Sequence, residues 1–160
     1  MSDAPETGSV ARVRAALSAA GLRAEVRRMP ASTRTAEEAA AACGCSVAQI
    51  VKSLVFEGES TGRLILLLVS GAHRADPRLA AAAAGEGLKR ADPRRVRAET
   101  GFAIGGVAPL GHLTASPVWM DETLMLFPTV WAAAGAPDAV FEVEPGALAA
   151  AAGATVAKLA

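Results

Sequence analysis

Apolar and polar positions along the chain switch between helical and strand-like spacing, and glycine or proline stands at most of the changeovers. Ser9 can cap a helix over residues 10–20 that Gly21 ends, and residues 23–28 then alternate as a strand with Val26 inward. Thr35-Ala36-Glu37-Glu38 has the form of a capping box opening a helix to about residue 42, with a shorter helix over 46–49. Leu64-Ile65-Leu66-Leu67-Leu68-Val69 is an apolar run of strand length, expected to be a central strand buried on both faces. Asp76-Pro77 starts an alanine-rich helix closed by Gly85, residues 88–91 make a short strand, and Asp92-Pro93 caps a helix that Gly101 ends. Short strands are expected at 118–120, 124–126, 130–133 and 139–143, then a helix at 147–152 and a strand at 155–158. Residues 1–8 are expected to be disordered, leaving 9–160 as one α/β or α+β domain.

Two segments stand apart from this scaffold. In Ile50-Val51-Lys52-Ser53-Leu54-Val55-Phe56, period-2 alternation puts Lys52 on a face with Ile50, Leu54 and Phe56, so an ammonium stands among large apolar neighbours. It is either a lysine guarding an edge strand or a cation at the mouth of a pocket, aimed at a phosphate or a developing oxyanion. The segment from Gly101 to His112 carries four glycines and Pro109 among apolar residues. It reads either as a plain chain reversal or as a backbone built against a ligand, presenting N–H groups to a carbonyl, a hydroxyl or a phosphate. It lacks the spacing of a triphosphate-binding or dinucleotide-binding loop.

Composition narrows the field. With 160 residues, 52% of them hydrophobic, the chain is long enough for one domain with a sizeable core. It has no apolar run of eighteen residues and no basic-then-apolar leader, so neither a membrane span nor a secretion signal is indicated and a cytoplasmic location is expected. The formal net charge is zero, yet between Arg74 and Arg97 seven basic residues face three acids, about plus four locally. Such a face either tracks nucleic-acid phosphates or is a solvated helix surface. Cys43 and Cys45 form a C-x-C pair without a matching second pair, and they read as buried or half-buried thiols and not as a metal site.

The order of Gln49 to Phe56, Arg90-Ala91-Asp92-Pro93, Thr100 to His112 and Val130-Trp131-Ala132-Ala133-Ala134-Gly135 resembles the YbaK/EbsC family, freestanding relatives of the editing (insertion) domain of bacterial prolyl-tRNA synthetases. The resemblance runs over nearly the whole chain, residues 10–156. It implies a mixed, mostly antiparallel sheet or partial barrel surrounded by helices. It also implies trans-editing: hydrolysis of the ester of a mischarged aminoacyl-tRNA, with tRNA-Pro carrying a wrong small amino acid as the expected substrate and no metal or organic cofactor. The partner would be the acceptor end of tRNA, and a homodimer is compatible with the resemblance. In the family the nucleophile is discussed as water or a group of the substrate.

Carried over residue by residue, Lys52 matches the lysine thought to hold the terminal adenosine's phosphate. Gly105-Gly106-Val107-Ala108-Pro109 matches the G-x-x-x-P loop that contacts the aminoacyl end, with Ile104 before it. Members that remove cysteine carry an aspartate where this chain has Val140, which leaves the amino-acid specificity open. Thr33 and Thr35 lie where the amino-acid pocket is expected, although a cap alone explains Thr35. Ser53 adjoins Lys52. Ser70-Gly71 either lines the site or is a plain turn, and Asp121 either orients the glycine loop or is an exposed turn acid. His112 either stacks on adenine or lies idle on the surface, while Trp119 and Trp131 are expected in the core. The alternative reading is a non-catalytic module that binds an aminoacyl-tRNA or a small molecule.

Overall fold

Sheet and helices alternate along the chain much as the spacing predicts. In this computed structural model, which describes residues 8–30, 33 and 35–160, five helices surround eight strands. The helices are α1 (Ser9–Ala19), α2 (Ala36–Cys43), α3 (Pro77–Ala84), α4 (Pro93–Thr100) and α5 (Pro145–Ala152). The strands are β1 (Val26–Arg28), β2 (Ile50–Gly58), β3 (Leu64–Ser70), β4 (Leu88–Arg90), β5 (Val118–Asp121), β6 (Val130–Ala133), β7 (Ala139–Val143) and β8 (Ala154–Ala157). They form one mixed sheet in the order β1-β7-β6-β2-β3-β5-β8, with β4 added beside β2. The pairs β1/β7, β2/β3, β2/β4 and β6/β7 are antiparallel, and β2/β6, β3/β5 and β5/β8 are parallel.

All seven residues of β3 are buried, as its unbroken apolar run requires. Leu66 and Leu68 enter the main core with α1, α4 and α5, whereas Ile65, Leu67 and Val69 meet Ala80 of α3 and Leu159. Alternation on β2 is resolved in the same way: Val51 and Val55 face the main core, and Leu54 and Phe56 pack on the other side. A third cluster of Ala39, Ala40, Ile50, Trp131 and Val140 seats α2 beside the start of β2.

Local capping follows the sequence in α2, α3 and α4. Thr35 Oγ1 accepts the Glu38 N–H at 3.1 Å, and Asp76 and Asp92 accept the first N–H groups of their helices. Two expectations are corrected. Ser9 does not cap α1, because its hydroxyl donates instead to the Gly135 carbonyl at 2.6 Å and Gly8 occupies the cap position. Residues 124–126 are not a strand but part of a 3-10 turn, Glu122–Leu126, in which Leu124 is buried while Met125 and Leu126 face outward. The expected disorder of residues 1–8 falls, apart from Gly8, outside the described residues. Among those described, no helix is long and apolar enough to cross a membrane.

Candidate functional site

The outer edge of β2 is the key to the site. That edge pairs with β6 at Ile50 and Val51 and with β4 from Phe56 to Gly58, so residues 52–55 lie in a gap with no strand beside them. A cavity of about 360 Å³ opens there. Its walls are β2 from Ile50 to Leu54, the start of α2 with Thr35, Ala36 and Ala39, the strand residues Trp131, Ala132, Ala133 and Val140, and the loop residues Ile104, Gly105 and Val107. Thr33, whose hydroxyl and N–H both donate to the Pro137 carbonyl, closes one side.

Lys52 and the glycine loop therefore line one cavity although fifty positions separate them. The Lys52 ammonium donates to the main-chain carbonyl of His73. Partial burial lowers its pKa, the nearby Arg74 guanidinium lowers it further, and the Glu37 carboxylate opposes both. Next to it, the Ser53 hydroxyl is buried and has no hydrogen-bond partner among the described residues.

The loop is held from behind. Thr100 Oγ1 accepts the Phe102 N–H at 3.1 Å and donates to the Val96 carbonyl, tying the loop's start to the end of α4. Gly106 N–H donates to the Ala103 carbonyl at 2.9 Å, and Gly105 adopts φ +93°, a conformation that favours glycine. Among the described residues the Gly105 and Val107 N–H groups have no partner. Arg12 of α1 donates to the Gly101 carbonyl at 2.8 Å and the Gly111 carbonyl at 3.2 Å, bracketing the loop, and lies over the Phe102 ring. The His112 ring packs edge-on against the same phenyl and its Nε2 donates to the Ala108 carbonyl. Burial lowers the His112 pKa, the carbonyl bond opposes this, and Arg12 adds to the lowering.

The expected site residues divide accordingly. Lys52, Thr35, Ser53, Ile104, Gly105 and Val107 line the cavity. Gly106 and Ala108 are buried behind the loop, and Pro109 lies on another cavity beside His112. Ser70 donates to the Ala48 carbonyl, and Gly71 packs so closely on Val47 and Ala36 that it supports α2 and not the cavity surface. Asp121 is not exposed and makes no hydrogen bond to the glycine loop among the described residues: wholly buried, it accepts the Leu159 N–H and approaches His73 Nδ1 at 3.8 Å. His112 is half-buried, its ring packed edge-on against Phe102 and lining the same cavity as Pro109. Trp131 is buried in the third core cluster yet shows a side to the cavity, while Trp119 is half-buried against the α3 side. The thiols of Cys43 and Cys45 are half-buried, and burial pushes Cys43 up to about 11. Sequence reasoning missed Arg12, for nothing in the spacing of α1 shows which carbonyls lie across from it.

Comparison with known proteins agrees with this fold. The model of the aminoacyl-tRNA editing domain matches residues 30–151. The uncharacterized protein YwhH of Bacillus subtilis (strain 168) is 33% identical over 121 residues, 76% of either chain. The crystal structure of a proposed trans-editing enzyme for prolyl tRNA synthetase is 49% identical, with a TM-score of 0.89 over 97% of this chain and 98% of that one. The crystal structure of the protein APE2540 is 30% identical, with a TM-score of 0.85 over 92% and 98%. By its matched residues and its fold, the chain belongs to the aminoacyl-tRNA editing domain family.

Proposed function

We propose that this protein is a deacylase that hydrolyses the ester between a wrong, small amino acid and tRNA, with tRNA-Pro as its substrate. The observation that carries the reading is the shared cavity: a cation, unpaired loop N–H groups and small apolar walls converge on one space. Lys52 binds a phosphate of the acceptor end, exchanging the His73 carbonyl for a charged oxygen. Gly105 and Val107 offer N–H groups to the ester carbonyl as it gains negative charge, and Gly106 and Pro109 fix the loop that presents them.

An aminoacyl ester is already activated, so placement and charge stabilisation supply much of the rate. Water, positioned by a neighbouring hydroxyl of the substrate, adds to the carbonyl carbon. The ester C–O bond then breaks, and the departing ribose oxygen takes the proton. Ala36, Ala39, Ala132, Ala133 and Val140 make the walls small and apolar, which favours an alanine-sized side chain over a charged one. The fold of the proposed prolyl trans-editing enzyme at 49% identity supports the choice of tRNA-Pro.

The test is a panel of tRNAs mischarged with alanine, cysteine, serine and threonine, incubated with the wild type and with Lys52→Ala. Multiple turnover on the small amino acids, lost in the variant, is expected. Saturable protection of the ester without hydrolysis would favour a binding module instead.

A further inference from the structure

The gap in the sheet leaves a row of main-chain groups without partners. Ile50 accepts the Gly71 N–H, and Gly58 donates to Arg63, so the even-numbered residues of β2 turn their main-chain groups toward β3. The odd-numbered ones turn outward. Val51 meets β6 and Glu57 meets β4, but the Ser53 carbonyl and the Val55 N–H face the gap, where neither β6 nor β4 continues opposite them. Buried edges of this kind are normally paired.

Beside Val55 lies a second cavity of about 280 Å³, continuous with the first through Ser53, Leu54, Ile104, Gly105 and Val107. Arg90 stands at its far end, exposed and opposite Phe56 in register. Its neighbour Lys89 and the nearby Arg95 are both spent on Glu57, whereas Arg90 has no ion pair among the described residues. Ile104, 60% exposed, forms the divide between the two cavities and offers an apolar surface to a flat ligand.

We propose that the open edge of β2, the Ser53 carbonyl followed by the Val55 N–H, reads the base of the terminal nucleotide in this second cavity, with Arg90 on the adjoining phosphate. The inference rests on the deacylase reading above. An acceptor followed two residues on by a donor is the pair that one residue of a parallel strand would satisfy with its own N–H and C=O. Adenine presents the same order, an exocyclic amino group beside a ring nitrogen, on the edge that single-stranded recognition uses. Hypoxanthine reverses it, placing a carbonyl against the Ser53 carbonyl and an N–H against the Val55 N–H. With the base seated there, the ribose spans the Ile104 divide and its ester enters the first cavity beside Gly105.

The test uses acceptor-stem minihelices carrying alanine on a 3′-terminal adenosine, purine riboside or inosine, each corrected for uncatalysed hydrolysis. Relative to adenosine, kcat/KM is expected to fall about tenfold for purine riboside, which lacks the amino donor, and further for inosine. Arg90→Ala is expected to raise KM at least about threefold with kcat unchanged, its fold checked by circular dichroism. Turnover of all three esters within twofold would overturn the base-reading edge while leaving the deacylase standing. Failure on every ester, adenosine included, would end the deacylase reading and this one with it, and an unchanged KM in Arg90→Ala would remove the phosphate contact.

Discussion

Lys52 gives its ammonium hydrogen to the main-chain carbonyl of His73, a neutral acceptor in the segment that follows β3. His73 is itself fixed, its N–H donating to the Ser70 carbonyl at 3.0 Å and its ring facing the buried carboxylate of Asp121. Among the described residues the cation is thus held by a neutral acceptor and is not neutralised by a bonded carboxylate. A phosphate arriving there replaces a neutral partner with a charged one, and charge-assisted hydrogen bonds are the stronger kind.

Lys52→Ala is therefore expected to lower kcat/KM at least about tenfold, roughly 1.4 kcal/mol, while the melting temperature stays close to wild type because the side chain is partly exposed. The working form is the cation, and its pKa lies below that of an ordinary lysine. Enzyme-specific kcat/KM should accordingly fall as pH rises, with a midpoint below the free-lysine range of about 10.4. Lys52→Arg should flatten that limb, and a wild-type profile level through this range would remove the role of the charge.

Arg12 joins both ends of the glycine loop to α1, and its aromatic neighbour Phe102 continues the contact to His112. Arg12→Ala leaves the Gly101 and Gly111 carbonyls without their donor, a loss of about 1–3 kcal/mol where those groups stay buried. The variant should also exchange its loop amides faster and lose kcat/KM, with only partial recovery in Arg12→Lys, since an ammonium cannot reproduce the planar fork. Unchanged amide exchange in residues 102–111 would show that Arg12 merely packs.

Much of this architecture was legible because its signals are local. The Asp-Pro pairs before α3 and α4, the Thr35 box and the all-apolar β3 each specify their own conformation within a few residues. Ser9 misled for a nonlocal reason. The start of α1 packs on the turn at Gly135, where φ is +95° and an added Cβ would come within 2.9 Å of Ser9, and that neighbour takes the hydroxyl that would otherwise cap the helix. The triplet Leu124-Met125-Leu126 was ambiguous by composition: burial of the first residue alone fits a turn anchored at one point, which no short apolar run distinguishes from a strand. The open edge of β2 was invisible for a third reason. A gap depends on where β4 and β6 stop pairing, and the sequence of β2 itself carries no trace of it.

His112 makes stability depend on pH. Its folded pKa is below the ordinary histidine value, so the folded state prefers the neutral ring. The contribution is fully present above about 6.5, the unfolded value, and is lost as pH falls through the lower folded one. Urea midpoints measured across that acid range should decline for the wild type, with a shallower decline for His112→Gln, which keeps an N–H for the Ala108 carbonyl and has no proton to gain. Parallel declines in the two proteins would assign the acid sensitivity to other groups.

Gly105 and Gly106 separate backbone conformation from crowding. At Gly105 a Cβ would meet no atom within 4 Å, so Gly105→Ala introduces no clash and only opposes the φ of +93°, a strain of about 1–2 kcal/mol. At Gly106 the φ is not in that region and the nearest atoms lie at 3.7 Å, an ordinary contact, so alanine there should leave stability within about 1 kcal/mol of wild type. Relief of the strain at Gly105 would rotate the peptide N–H of a residue that lines the cavity. Gly105→Ala is therefore expected to lose kcat/KM by more than its modest fall in melting temperature implies, and by more than Gly106→Ala does. Comparable activity in Gly105→Ala and the wild type would mean that the orientation of this amide does not govern turnover, and the stabilising donor would then have to be the Val107 N–H.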